Sequence, residues 1–200
     1  MLATPYRHAG ATLIELAVTF TLMSILFMLA IPSFGSWIRN VQIRTAAESI
    51  QNGIQLTRAE AVRRNTSVRF NLTDATGLPA WTVGCVTAST TCPAAIQSRP
   101  GTEGGGNALA GASSTIPATP VPTNRYASAI AGGSGLPAGV TFNGMGRVPT
   151  ANVGADITRV DVTNAQDPTA RRLVIIVNSG GLIRLCDPAI ALATSPLGCS

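Results

Sequence analysis

Side chains able to do acid–base, nucleophilic or metal chemistry are few in this chain and skewed in kind. All 14 basic residues are arginine and none is lysine. The one histidine, His8, stands close to the N-terminus, and four cysteines, Cys85, Cys92, Cys186 and Cys199, fall into two sequence-local pairs. Without lysine there is no Schiff base, no Ser-Lys dyad and no phosphate-loop lysine. Removal of the first residues would also take away the only histidine. Ser-His-Asp and Cys-His nucleophile systems and His-containing zinc sites would go with it. The expectation is a non-catalytic protein with no resident metal or cofactor.

Glu15 is the remaining anomaly. It is the only charge in residues 11–31, ATLIELAVTFTLMSILFMLAI. As a helix this run would be about 31 Å long at roughly 1.5 Å per residue, enough for a bilayer core of about 30 Å. A carboxylate within such a helix costs on the order of 2.5–3.5 kcal/mol. Either it lies near enough to the helix start to reach the interface, or it pairs with a positive group. A secretory signal peptide carries its small-residue cleavage site after the apolar run. Here Pro32-Ser33-Phe34-Gly35 follows the run, and the small residue, Gly10, precedes it.

The elements that hold these residues can be read from periodicity. Phe34, Trp37, Ile38, Val41, Ala47, Ile50, Ile54, Ala61 and Val62 recur at helical spacing, so the helix is expected to run on past Pro32 to Arg64 as an amphipathic segment. After Asn65 the pattern alternates. Strands are expected at 67–73, 80–86, 139–143, 147–148, 157–162, 172–178 and 182–186, with Ser179-Gly180-Gly181 as a hairpin turn. Between positions 100 and 139, 9 Gly and 5 Pro read as a long surface insertion, with a strand near 126–130. A long helix on an antiparallel sheet is an α+β fold. The mean hydropathy of +0.30 and the 12% of charged residues fit a membrane segment joined to one globular head.

The segment Gly10-Ala11-Thr12-Leu13-Ile14-Glu15-Leu16, followed by the apolar run and Pro32, resembles the class III signal of type IV pilins and pseudopilins. Phe142-Asn143-Gly144-Met145-Gly146-Arg147-Val148 resembles the F-x-x-x-G-R-V segment of the GspH/FimT-type minor pilins and pseudopilins. The stretch from Ser179 to Pro188 resembles that group's G-R-x-R-x-C-D-P signature. The resemblance implies the type IV pilin fold, with a leader at 1–10, a transmembrane and filament-core helix at 11–31, an amphipathic helix at 32–65 and a head at 66–200. It implies cleavage by a prepilin peptidase after Gly10, methylation of Ala11, docking of Glu15 on the terminal amine of a neighbouring subunit, and a helix kink at Pro32. The implied partners are other pilins or pseudopilins and an inner-membrane assembly platform. The implied location is a single pass through the inner membrane with the head in the periplasm.

An oxidising periplasm would favour disulfides. Four cysteines allow three pairings, and spacing favours Cys85–Cys92 and Cys186–Cys199 over a four-cysteine zinc site, which wants closer knuckles. Some members of the FimT branch bind incoming DNA through tail arginines. Here Arg184 matches the second of them and Leu182 stands at the first, with Arg171, Arg172 and Arg147 as further candidates. Three functions therefore stand in order: a minor type IV pilin in pilus assembly, a minor pseudopilin of a type II secretion system, and a DNA-binding pilin for natural transformation.

Overall fold

In the computed structural model the described residues are 12–104, 106–118, 122 and 125–199, with side chains for all of these but 29–33. One helix, α1 (Leu13–Arg64), is followed by eight strands: β1 (Val68–Leu72), β2 (Trp81–Cys85), β3 (Gln97–Arg99), β4 (Ala108–Ser113), β5 (Ala138–Phe142), β6 (Arg159–Asn164), β7 (Leu173–Val177) and β8 (Ile183–Cys186). The chain divides into two compact units, one ending at Ile38 and one beginning at Arg39.

Both ends of α1 are set by local chemistry. At the start, Glu15 N–H donates to Thr12 Oγ1 at 3.3 Å, satisfying one of the first-turn donors. At the end, Asn65 takes a left-handed φ of 49°. Its N–H donates to Val62 O, and Thr66 N–H donates to Ala61 O, at 3.2 and 3.1 Å. This is a Schellman stop with asparagine in the position that usually favours glycine.

In the second unit, α1 buries Ile43, Ala46, Ala47, Ile50, Ile54, Thr57 and Ala61. This is not the full stripe read from the sequence. Phe34, Trp37, Ile38, Val41 and Val62 are exposed, while Ile43 and Ala46 join the core. Gly53 lies on the buried side, where a Cβ would stand 2.8 Å from Phe70 and 3.2 Å from the Trp81 ring. The indole N–H of Trp81 donates to Ser49 Oγ at 2.9 Å, which satisfies the one polar atom of that buried aromatic. The helix backbone therefore packs directly on these two rings where a side chain has been omitted.

The strands form two antiparallel sheets rather than one, in the orders β3-β2-β1-β5 and β4-β6-β7-β8. They join where Ile157 N–H donates to Gly139 O and Thr158 N–H to Ser113 O. The insertion expected at 100–139 is not a loose loop throughout. It contains β4, a buried strand paired with β6 along its whole length. The segment at 130–136 then lies along the other side of β4, with Ala112 N–H donating to Ser134 O and Gly133 N–H to Ala110 O. A Cβ at Gly111 would run into the Ala131 carbonyl, so the glycines here permit backbones to touch. Residues 126–130 are a turn rather than a strand, and 147–148 leave a turn.

At the last turns of α1, Glu60 accepts from Arg63 Nη2 at 2.6 Å and from Arg64 Nε at 2.7 Å. Arg64 also reaches the Thr91 carbonyl in the hairpin closed by Cys85–Cys92. The Arg63 hydrogen bond, with that of Arg64 and against some desolvation, holds the Glu60 carboxyl below its ordinary value.

Two outcomes follow from this packing. Ile54→Ala should lower the unfolding free energy by about 2–5 kcal/mol, whereas Val41→Ala, at a 42% exposed site, should change it by no more than about 0.5 kcal/mol; urea unfolding measures both. A carboxylate favoured in the folded state contributes stability above its unfolded pKa and loses it as pH falls through the depressed folded value. Stability should therefore fall as pH drops below 4.5, and Glu60→Gln should flatten that part of the profile.

Candidate functional site

Gly10 and Ala11 lie outside the described residues. Glu15 lies in the first turn of α1, exposed, with its backbone N–H on Thr12 and its carboxylate making no hydrogen bond or ion pair with described residues. From Leu13 to Met28 the apolar side chains Leu13, Ile14, Leu16, Val18, Phe20, Leu22, Met23, Ile25, Leu26, Phe27 and Met28 are each at least 50% exposed. So large an apolar surface on one helix is a surface for other molecules. Position 32 is helical in the backbone, and the Pro32 side chain lies outside the description. Among the described residues, no helix is long and apolar enough to cross a membrane.

The two head motifs come together. Asn143 folds the first into a turn, its Oδ1 accepting from Met145 N–H and Arg147 N–H at 3.0 and 3.2 Å. Val148 N–H donates to Ser179 O of the second. Arg58 of α1 donates from Nε to Gly146 O at 3.0 Å. Gly181 has a positive φ, and a Cβ there would strike the Gly146 carbonyl. The glycines of both motifs thus let two turns pack against each other and the end of the helix.

The arginines considered for DNA contact are used unequally. Arg172, whose side chain is 14% exposed, pairs with the fully buried Asp161 and donates to the carbonyls of Tyr126, Ala127 and Ser128. Arg184 reaches the Gly198 carbonyl in the C-terminal loop. Arg171 pairs with Asp187 at 2.6 Å. Arg147 is exposed, and among the described arginines it alone makes no side-chain hydrogen bond or ion pair with described residues.

One cluster was not singled out from the sequence. Arg159 and Asp161 alternate on one face of β6, and Arg159 grips Asp161 through Nε at 2.6 Å and Nη2 at 2.8 Å. The same guanidinium donates to Arg125 O and Ser128 O, both at 2.7 Å, and lies 5.1 Å from the Tyr126 ring centroid. Asp161 Oδ2 accepts from Ile130 N–H at 3.1 Å. Tyr126 is thereby held against Val174 and the Cys186–Cys199 disulfide. The available signal was the R-x-D spacing in an alternating strand, which puts opposite charges on one face.

Both cysteine pairs are disulfides, Cys85–Cys92 with Cα atoms 5.8 Å apart and Cys186–Cys199 at 5.1 Å. The second ties the loop after β8 back to that strand. Among the described residues, no group of three or more His, Cys, Asp or Glu side chains could hold a metal ion.

A helix on antiparallel sheets, with an exposed apolar N-terminal half, is the architecture of pilin-like proteins. The chain belongs to the GspH family: the family described as type II transport protein GspH matches residues 46–181. It is accordingly a type IV pilin-like protein, of a family tied to membrane-associated pilus or pseudopilus assembly. Among solved structures it is similar to the type IV minor pilin FimU of Pseudomonas aeruginosa, at 18% identity and a TM-score of 0.47, over 74% of this chain and 91% of that one. It is also similar to the minor pseudopilin EpsH from the type 2 secretion system of Vibrio cholerae, at 12% identity and a TM-score of 0.47, over 74% of this chain and 99% of that one. No curated protein matches the chain.

The buried charge cluster gives a test that separates structural from exposed arginines. Asp161→Ala would leave Arg159 and Arg172 without their shared carboxylate and should destabilise the head by about 3–5 kcal/mol. Arg147→Ala should change stability by no more than about 0.5 kcal/mol. Thermal or urea unfolding of the two variants checks the contrast.

Proposed function

We propose that this chain is a minor subunit of a type IV pilus, acting in pilus assembly as a structural, non-catalytic component. The observation that carries the reading is the uncovered apolar stretch of α1 from Leu13 to Met28, which begins within Gly10-Ala11-Thr12-Leu13-Ile14-Glu15-Leu16. In this reading a prepilin peptidase cuts after Gly10 and Ala11 becomes the methylated terminus. Residues 11–31 first hold the chain in the inner membrane by a single pass, with the head in the periplasm. They then pack among other pilins through the assembly platform. Glu15, with a free carboxylate in the first turn, pairs with the terminal amine of a neighbour, which offsets the cost of an apolar setting. Pro32 removes one backbone donor from the helix and so supplies a place for it to bend. Arg147, exposed and without a side-chain partner among the described residues, is open to an outside anion, while Arg171, Arg172 and Arg184 serve the head itself.

A second reading, the minor pseudopilin of a type II secretion system, is favoured by the description of the matching family. It uses the same processing and packing, and differs in which filament the chain enters. Deleting the gene separates the two: loss of surface pili supports the first, and loss of protein secretion with normal pili supports the second.

Replacing Gly10 should leave a precursor heavier by the ten-residue leader, read by mass spectrometry of the membrane fraction; normal processing would remove the pilin reading. Glu15→Ala should insert and be processed normally yet fail to enter filaments. Wild-type filament numbers in that variant would contradict the pairing role.

A further inference from the structure

Just beyond the apolar run, α1 carries Phe34 and Trp37, three residues apart on one face. Their rings stack with centroids 5.6 Å apart and planes 28° from parallel. They are 60% and 59% exposed. The Trp37 indole N–H has no hydrogen-bond partner among the described residues, in contrast to Trp81, whose N–H is satisfied by Ser49. The described aromatics nearer the N-terminus, Phe20 and Phe27, carry no polar atom. Trp37 is therefore the first side chain along α1 to combine a large apolar body with an unsatisfied polar tip. That combination suits a place that is apolar on one side and wet on the other.

The spacing agrees. From Leu13 to Phe34 there are 21 residue steps, about 31 Å at roughly 1.5 Å per residue, matching a hydrocarbon core of about 30 Å. If the aromatic pair marks one edge of the core, Glu15 falls at the opposite edge, where its carboxylate reaches water while the chain waits as a monomer.

We propose that Phe34 and Trp37 form an aromatic anchor that seats in the lipid headgroup region on the head side of the membrane and sets the depth of α1 before assembly. The inference rests on reading residues 11–31 as membrane-spanning and adds to it a fixed depth. The occupant of this face is the bilayer interface. A neighbouring helix or bare water are the outcomes that would replace it.

The test uses the full chain in phosphatidylcholine–phosphatidylglycerol vesicles whose acyl chains carry bromine either near the headgroup or near the chain end. Trp81 is 4% exposed inside the head, so the difference between the wild type and Trp37→Phe isolates the emission of Trp37. The shallow bromines should quench that emission at least about twofold more than the deep ones. Equal absence of quenching, or stronger quenching by the deep label, would overturn the anchor. Flotation of the same vesicles keeps the two claims apart. A chain that does not float with lipid contradicts the membrane reading and the anchor together. A chain that floats with Trp37 unquenched contradicts the anchor alone.

Discussion

The head depends on one close approach between helix and sheet. At Gly53 the backbone of α1 comes so near Phe70 and Trp81 that no Cβ fits without displacement. On either side of that point Ile50 and Ile54 are fully buried. A glycine in mid-helix costs about 1 kcal/mol in propensity relative to alanine. Here the close approach lets the apolar stripe from Ile43 to Ala61 bury completely, and Trp81 settles its polar atom on Ser49. Strands β1 and β2 present Val68, Phe70, Leu72, Trp81 and Val83 to this core, and the second sheet adds Val160, Val162 and Ile175. The first half of the same helix has no such cover, so its apolar surface remains available to lipid or to other subunits.

Arginine serves the head mainly as a staple for irregular chain. Its planar fork offers several donors at once, which allows one side chain to meet a carboxylate and a carbonyl together. Arg64 joins Glu60 to the Thr91 carbonyl, Arg99 joins both the carboxylate and the carbonyl of Glu103, and Arg159 joins Asp161 to two carbonyls in the 125–128 turn. Glycine does the complementary job. Gly111 and Gly181 leave room for a neighbouring carbonyl, so that turns and strands touch through their backbones. Together they make a head rich in loops that is nonetheless well tied, with two short disulfides closing the hairpin after β2 and the loop after β8.

Much of this was legible in the sequence where the signal is local. The helix end at Arg64 follows from the change of period after Asn65, and β1, β2, β5, β6, β7 and β8 follow from alternation or from an apolar run. The strands that escaped carry at most one large apolar residue, none in β3 and Leu109 alone in β4. β3 is Gln97–Arg99, and β4 reads ALAGAS, whose small side chains look like loop composition but serve close packing. Which face of α1 is buried was only half legible: Ala47, Ile50, Ile54 and Ala61 are inside, but Phe34, Trp37, Ile38, Val41 and Val62 share the period and are exposed. Periodicity reports that a face is apolar and not what covers it. The split into two sheets and the tie of Arg159 and Arg172 to the carbonyls of residues 125–128 depend on contacts distant in the chain, which no local pattern encodes. The residues that carry the proposed processing are the reverse case, plain in the sequence motif and outside the described structure.

The central claim is a division of labour along one chain: a self-sufficient head from Arg39 onward, and an N-terminal half of α1 built to be covered by something else. The most direct measurement compares the chain starting at Arg39 with the full chain. The shorter one should be soluble without detergent and unfold in a single cooperative transition, with both disulfides formed. The full chain should require detergent or lipid to stay dispersed. A shorter chain that aggregates or lacks a cooperative transition, or a full chain that remains dispersed in plain buffer, would contradict the account.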